Sequence, residues 1–268
     1  MMIEMITAST YLTGAATAAV LLTSVWIASL IISDASIIDM FWGGGFALIA
    51  LTTLITSENI SLIGTLTGLA VIAWGFRLWL HLFNRWRREG EEDYRYQKMR
   101  AYHGKHFWWR SIFTVFTFQG LLMWLVSMPF MAAFYFGGDA ALPGLSIVFL
   151  LAALGALYME ASADIQLTKY RADSNKAPVL TEGWWKYTRH PNYFADAAFW
   201  WCIYGAVVAA TPEAIWTIFA PIIMNYFLVN VSGAEMLERS LKKKPGYEEY
   251  MQRTNRFIPA ISARWLKK

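Results

Sequence analysis

Seven stretches of this chain are apolar over twenty or more residues, and that pattern leaves few folds open. They run roughly over 7–32, 36–56, 60–82, 111–136, 144–167, 192–211 and 213–233. Crossing the hydrocarbon core of a bilayer takes about 20 predominantly apolar residues. Composition agrees, with 57% hydrophobic and only 16% charged residues, where a soluble domain carries about a quarter charged. The first stretch lacks a basic n-region and a small-residue cleavage site, so it reads as a span and not as a removed signal peptide. One cysteine, Cys202, excludes an intramolecular disulfide and a cysteine-based metal cluster. The expectation is an all-α integral membrane protein of seven transmembrane helices, forming one domain over 1–268.

The basic residues orient this layout. Of 23 Lys and Arg, 8 fall between Asn84 and Arg110, 5 between Lys169 and Arg189, and 9 from Arg239 to Lys268. The connections near Glu58, Asp139 and Glu213 have none. With seven spans the three basic segments share one side. The positive-inside rule makes that side cytoplasmic and leaves the N-terminus outside and the C-terminus in the cytoplasm.

Polar residues inside spans are costly and face a cavity or a partner. The second span opens with Asp34 and Asp39, then Phe41, Trp42 and Gly43-Gly44-Gly45. Arg77, His81 and Asn84 recur at helical spacing in the third. Glu160 and Asp164 lie four apart at the end of the fifth, and Asp196 lies in the sixth. Asn225, Asn230 and Glu235 belong to the seventh. Internal helix–helix bonding explains any one of them. As a set they fit a polar cavity open to the side that carries the basic segments.

The stretch GWWKYTRHPNYFAD (183–196) stands at the mouth of that cavity. Pro191 suits the first position of a helix, so the helix begins just after Arg189-His190. Its free N–H groups and positive dipole end favour an anion there. Asn192 and Asp196 follow on one face. Two further basic stretches, 163–176 and 238–256, converge with this one. Three basic elements suit a multi-phosphate cofactor and anionic lipid headgroups equally. Neither GxGxxG after a strand nor GxxxxGK[ST] occurs, and neither a metal nor a nucleic acid partner is expected.

GWWKYTRHPNYFAD, with ADIQLTKYR before it and YMQRTNRFIPA after it, resembles the signature of membrane sterol reductases. SIIDMFWGGG (36–45) and RREGEEDYRYQKMR (87–100) resemble the bacterial branch of the steroid 5-alpha-reductase family. The resemblance implies a bacterial inner-membrane enzyme with its active site facing the cytoplasm. It implies NADPH held by the C-terminal half and a membrane-embedded steroid or isoprenoid-like lipid substrate in the N-terminal half. Carried over by motif, the cofactor residues are Asp164, Lys169, Arg171, Arg189, His190, Asn192, Tyr193 and Asp196. Tyr250, Arg253 and Arg256 join them from the tail, and Arg95 closes over the phosphates from the loop. Asp34, Trp42 and Gly43 fall on the substrate side.

The implied reaction reduces a carbon–carbon double bond conjugated to a ketone. Hydride attack at the β carbon puts negative charge on the carbonyl oxygen, which a positioned donor must stabilise. A carboxylic acid kept neutral in an apolar pocket can serve, and Asp39 is the first candidate. Relatives of the human type pair a glutamate with a tyrosine in the third span. Aligning HLFNR (81–85) with their HYFHR puts Leu82 at that tyrosine, which leaves the second donor to His81 or Tyr96. RHPNY also resembles an element of isoprenylcysteine methyltransferases, which use S-adenosylmethionine. A transporter is the non-enzyme alternative, and the missing repeat symmetry stands against it.

Overall fold

A computed structural model describes residues 2–58, 60–231 and 233–260, with side chains from residue 10 onward. Arg264, Lys267 and Lys268 of the third basic segment lie outside the described residues. The described residues contain no strand, and their β-type pairing is an isolated bridge between Thr188 and Asn255. Among the described residues seven helical segments are long and apolar enough to cross a membrane: Thr10–Ile32, Ile37–Thr56, Leu62–Glu89, Tyr94–Val126, Pro143–Ala172, Pro191–Ala210 and Pro212–Leu241. Large apolar side chains such as Val20, Ile31, Ile55, Phe113 and Leu151 are exposed along them, as lipid-facing positions require.

The chain divides into two compact units. The first holds residues 1–147 and 206–220, and the second holds 148–205 and 221–268. Helices α1 (Met2–Ile32), α2 (Ile37–Thr56) and α3 (Leu62–Glu89) begin the first unit. After them come α4 (Tyr94–His103), α5 (Phe107–Ser111), a π-helical segment at Ile112–Thr117, α6 (Phe118–Val126) and α7 (Met128–Phe136).

The α2–α3 pair is the tightest contact of this unit, and glycine makes it possible. A Cβ on Gly43 would lie 2.5 Å from the Gly75 carbonyl oxygen and 2.9 Å from the Trp79 nitrogen. A Cβ on Gly75 would strike the Gly43 carbonyl. Two helix backbones therefore touch, as small residues permit in membranes. Gly44 abuts the Trp79 ring and Gly45 abuts Met123 and Leu21. Gly43, expected on the substrate side, is thus filled by α3.

Several boundaries differ from the hydropathy reading. Helix α3 continues seven residues past position 82 because an aromatic ladder, Phe76–Trp79–Phe83–Trp86, runs on where mean hydropathy falls. It closes on Gly90, whose left-handed backbone (φ 66°) returns an N–H to the Trp86 carbonyl. The helical segment that carries the fourth apolar stretch starts at Tyr94, ahead of position 111, and the helix stops at Ser127. Pro129, which lacks an N–H, then occupies the first turn of α7.

In the second unit α8 (Pro143–Ala172) and α9 (Pro191–Ala210) contribute their residues from 148 to 205. Asn192 bonds Asp164, and Gly205 abuts the Phe149 ring. Those two pairings fix an antiparallel register. Then follow α10 (Phe219–Tyr226), a π-helical segment at Phe227–Val231, α11 (Ala234–Leu241) and α12 (Tyr247–Arg253).

Candidate functional site

In the first unit a polar network gathers around Asp39, in the first turn of α2. The α1–α2 turn is set by Asp34, whose carboxylate accepts from Ser36 N (2.8 Å), Ser36 Oγ (2.6 Å) and Trp86 Nε1 (2.8 Å). Asp34, expected at the substrate, is thereby committed to the turn. Glu92 accepts from Ala35 N (2.8 Å) and, along one edge of the Arg100 guanidinium, from Nη2 (2.8 Å) and Nε (3.0 Å). Arg100 in turn stacks over Phe107 at 4.6 Å. These contacts fasten α4 beside the turn.

Asp93 caps α4 by accepting from Arg95 N at 2.9 Å, and it also accepts from Arg95 Nε at 2.8 Å. Burial pushes the Asp93 carboxyl pKa up, but the Arg95 bonds outweigh burial and hold it below the usual value. The cap turns α4 so that Arg95 and Tyr96 both reach Asp39. Arg95 Nη2 forms an ion pair with Asp39 Oδ2, and the Tyr96 hydroxyl donates to Asp39 Oδ1 at 2.6 Å. Gln119 donates to the Tyr96 oxygen at 3.4 Å, and Trp42 Nε1 donates to Gln119 Oε1 at 2.5 Å.

Every donor in this chain points toward the carboxylate. An ionised carboxylate only accepts, so the geometry gives Asp39 the acceptor's part and leaves Tyr96 as its proton-bearing partner. The Arg95 guanidinium lies 5.4 Å from the Tyr96 ring centroid. Asp39 keeps 32% of its side-chain surface accessible and Arg95 keeps 29%, whereas Tyr96 is buried. Arg95, expected over the cofactor phosphates, belongs to this unit with its bonds on Asp39 and Asp93. His81 is half-buried on α3, and the donors on Asp39 come from α4. Glu92, Arg100 and Gln119 were not singled out by the sequence. Asp93 before a helix was a legible cap signal.

In the second unit Asp164 accepts from Asn192 Nδ2 at 3.0 Å. The antiparallel register sets Glu160 opposite Asp196 one turn away, and Glu160, Asp164 and Asp196 are all buried. Lys169 and Arg171 are exposed at the C-terminal end of α8. Tyr193 stacks on His190 with ring centroids 5.8 Å apart.

Just before α9 the side chains of Arg189 and His190 converge on the chain's own Glu238. Arg189 Nε donates to Glu238 Oε1 at 2.8 Å, and His190 Nε2 lies 3.2 Å from the same oxygen. Arg189 Nη1 reaches the Thr254 carbonyl (2.6 Å) and the Met251 carbonyl (3.3 Å). Tyr250 donates to the Trp185 carbonyl at 2.5 Å, and Ala260 N donates to the Tyr187 carbonyl at 3.0 Å. Arg256 pairs with Glu235 at 2.7 Å. Arg253 is half-buried. Burial lowers the His190 pKa, against the pull of Glu238, and burial raises that of Tyr250. Arg189, His190 and Tyr250 thus knot residues 185–190 to the tail, a role their sequence positions did not disclose because Glu238 lies 48 residues away.

Fold and polar networks together define an all-helical, multi-pass membrane protein. Within that class the chain belongs to DUF1295, a family described as protein of unknown function, whose signature spans residues 25–254. It is 26% identical over 217 residues to an uncharacterized protein of Schizosaccharomyces pombe. That match takes in 70% of this chain and 61% of the yeast protein. No solved structure matches. Among the described residues no group of three His, Cys, Asp or Glu side chains is placed to hold a metal ion.

Proposed function

We propose that this protein reduces the carbon–carbon double bond of an α,β-unsaturated ketone in a steroid-like lipid, with NADPH as reductant. The observation that carries the reading is the Tyr96 hydroxyl held on an Arg95-paired Asp39 in a unit built of membrane-spanning helices. Asp39 holds the Tyr96 hydroxyl until the ketone binds, and the single phenolic proton then turns from Asp39 Oδ1 to the ketone oxygen, where negative charge develops. Arg95 offsets the negative charge of the Tyr96–Asp39 pair. The proton donor's part, first given to Asp39, thereby passes to Tyr96.

The second unit fits a nucleotide. Asn192 Oδ1 and Thr254 Oγ1 are buried without a hydrogen-bond partner, and Lys169 and Arg171 offer exposed charge for phosphates. Asn192, Tyr193, Thr254, Lys169 and Arg171 would hold NADPH, which when bound supplies the hydride. The reading sets the N-terminus outside and the active site toward the cytoplasm, on the distribution of Lys and Arg, and the resemblance to the bacterial branch makes the membrane a bacterial inner membrane.

Purified protein in detergent tests it. NADPH, and not S-adenosylmethionine, should raise the unfolding temperature, because a ligand at a hundredfold excess over Kd stabilises the folded state by about 2.7 kcal/mol. A 3-oxo-Δ4-steroid should then consume NADPH. Stabilisation by S-adenosylmethionine alone would move the protein to the methyltransferases.

A further inference from the structure

We infer that residues 98–113 form a docking face for anionic phospholipid headgroups, independent of the reaction assigned above. From Tyr94 to Phe113 the sequence, YRYQKMRAYHGKHFWWRSIF, carries five Lys or Arg and no Asp or Glu. Its inner side is spoken for. Tyr96 and Phe107 are buried in one apolar cluster, Arg95 and Arg100 are paired to carboxylates, and Ser111 accepts from Trp26 Nε1 at 3.2 Å. Those attachments hold the outer side in a fixed arrangement.

On that outer side Lys98, Tyr102, Lys105, His106, Trp108, Trp109, Arg110 and Phe113 are all exposed. Among the described residues no carboxylate forms an ion pair with Lys98, Lys105 or Arg110. Arg110 lies over the Trp109 ring at 5.3 Å and its Nη1 lies 3.3 Å from His103 Nδ1, which leaves the remaining in-plane N–H donors for a phosphate. Lys98 lies over Tyr94 at 5.2 Å. Phe113 and Leu121 continue the exposed surface along the span, where lipid tails would lie. Tryptophans at the end of such a stripe sit at headgroup level, and the adjacent cations meet the phosphates. Aromatic anchors, unneutralised charge and a tail-facing stripe in one segment match a phospholipid of the bilayer, rather than a free anion.

The experiment titrates the full-length protein in detergent with phosphatidylglycerol, phosphatidylcholine or inorganic phosphate, following its unfolding temperature. Two basic residues at an anionic surface give a preference of roughly thirtyfold for phosphatidylglycerol. The shift should fade as salt is raised in the unaltered protein. It should be lost in Lys105→Gln/Arg110→Gln but kept in Lys242→Gln/Lys243→Gln, which alters the exposed loop after α11. An equal response to phosphatidylcholine, a response to phosphate matching that to phosphatidylglycerol, or a salt-insensitive shift would each overturn the inference. So would a full shift surviving in Lys105→Gln/Arg110→Gln.

Discussion

Replacing Arg189 by alanine should unfold the second unit's knot whether or not any ligand is present. Arg189 is 7% exposed and Glu238 is 4% exposed. Removing one partner of a buried ion pair costs about 3–5 kcal/mol, because the other charge is stranded. Here Glu238 keeps His190 at 3.2 Å and Arg256 Nε at 3.9 Å, so the lower end, about 3 kcal/mol, applies. The Thr254 and Met251 carbonyls lose their donor as well, adding about 1 kcal/mol each. The sum is about 5 kcal/mol, or a fall of about 10–20 °C for a chain of this size. Thermal unfolding in detergent without ligand reads it directly. Arg189→Met/Glu238→Leu should recover most of the loss, since an apolar pair needs no counter-charge. If Arg189→Ala melts with the unaltered protein and only the response to NADPH disappears, Arg189 is a cofactor ligand and the knot is not structural.

Tyr96→Phe should lower steroid-dependent NADPH consumption by about a hundredfold or more, the range of a lost general acid, while His81→Ala leaves turnover little changed. Equal losses in both variants would return the donor's role to α3. Gly43→Ala should destabilise by about 1–3 kcal/mol through overpacking against the α3 backbone. Gly155→Ala, where a Cβ meets nothing within 4 Å, should be neutral or stabilise by about 0.5–1 kcal/mol; thermal melts that rank them the other way would refute the α2–α3 contact. His190 is held neutral below its ordinary pKa of 6.5, so the stability it contributes is complete above that pH. It falls as the pH drops from 6.5 toward the lower folded-state value, where the unfolded chain binds the proton first. His190→Gln should flatten that part of the stability–pH curve, and an unchanged slope would assign it to another group.

Hydropathy made the seven spans legible because each apolar run reports its own burial in lipid. It failed where helix persists without apolarity. Arg85, Arg87 and Arg88 mask the last turns of α3, although the aromatic ladder beneath them continues to Trp86. The run EEDYRYQKMR reads as a solvated loop until Asp93 is taken as a cap. Asp39 was singled out from its own span, but its ion-pair partner Arg95 lies 56 residues away, and no local pattern encodes that pairing. The same holds for Glu238, which pairs with Arg189 and His190 from a distant helix. Gly43 was ambiguous for a simpler reason: a missing side chain leaves room for a ligand or for a neighbouring backbone, and only packing decides between them.

The Gly43–Gly75 crossing has a consequence for motion. Asp39 sits one helical turn from Gly43, so it rides on a fulcrum where two backbones are locked at van der Waals distance. Tyr96 rides on a ten-residue helix tethered mainly by side chains. When the first unit breathes, α2 and α3 should exchange their amide hydrogens last and α4 earlier. The Tyr96–Asp39 bond joins a partner locked by backbone contact to one held by side chains, so the geometry of the donor is decided by how firmly α4 is fastened.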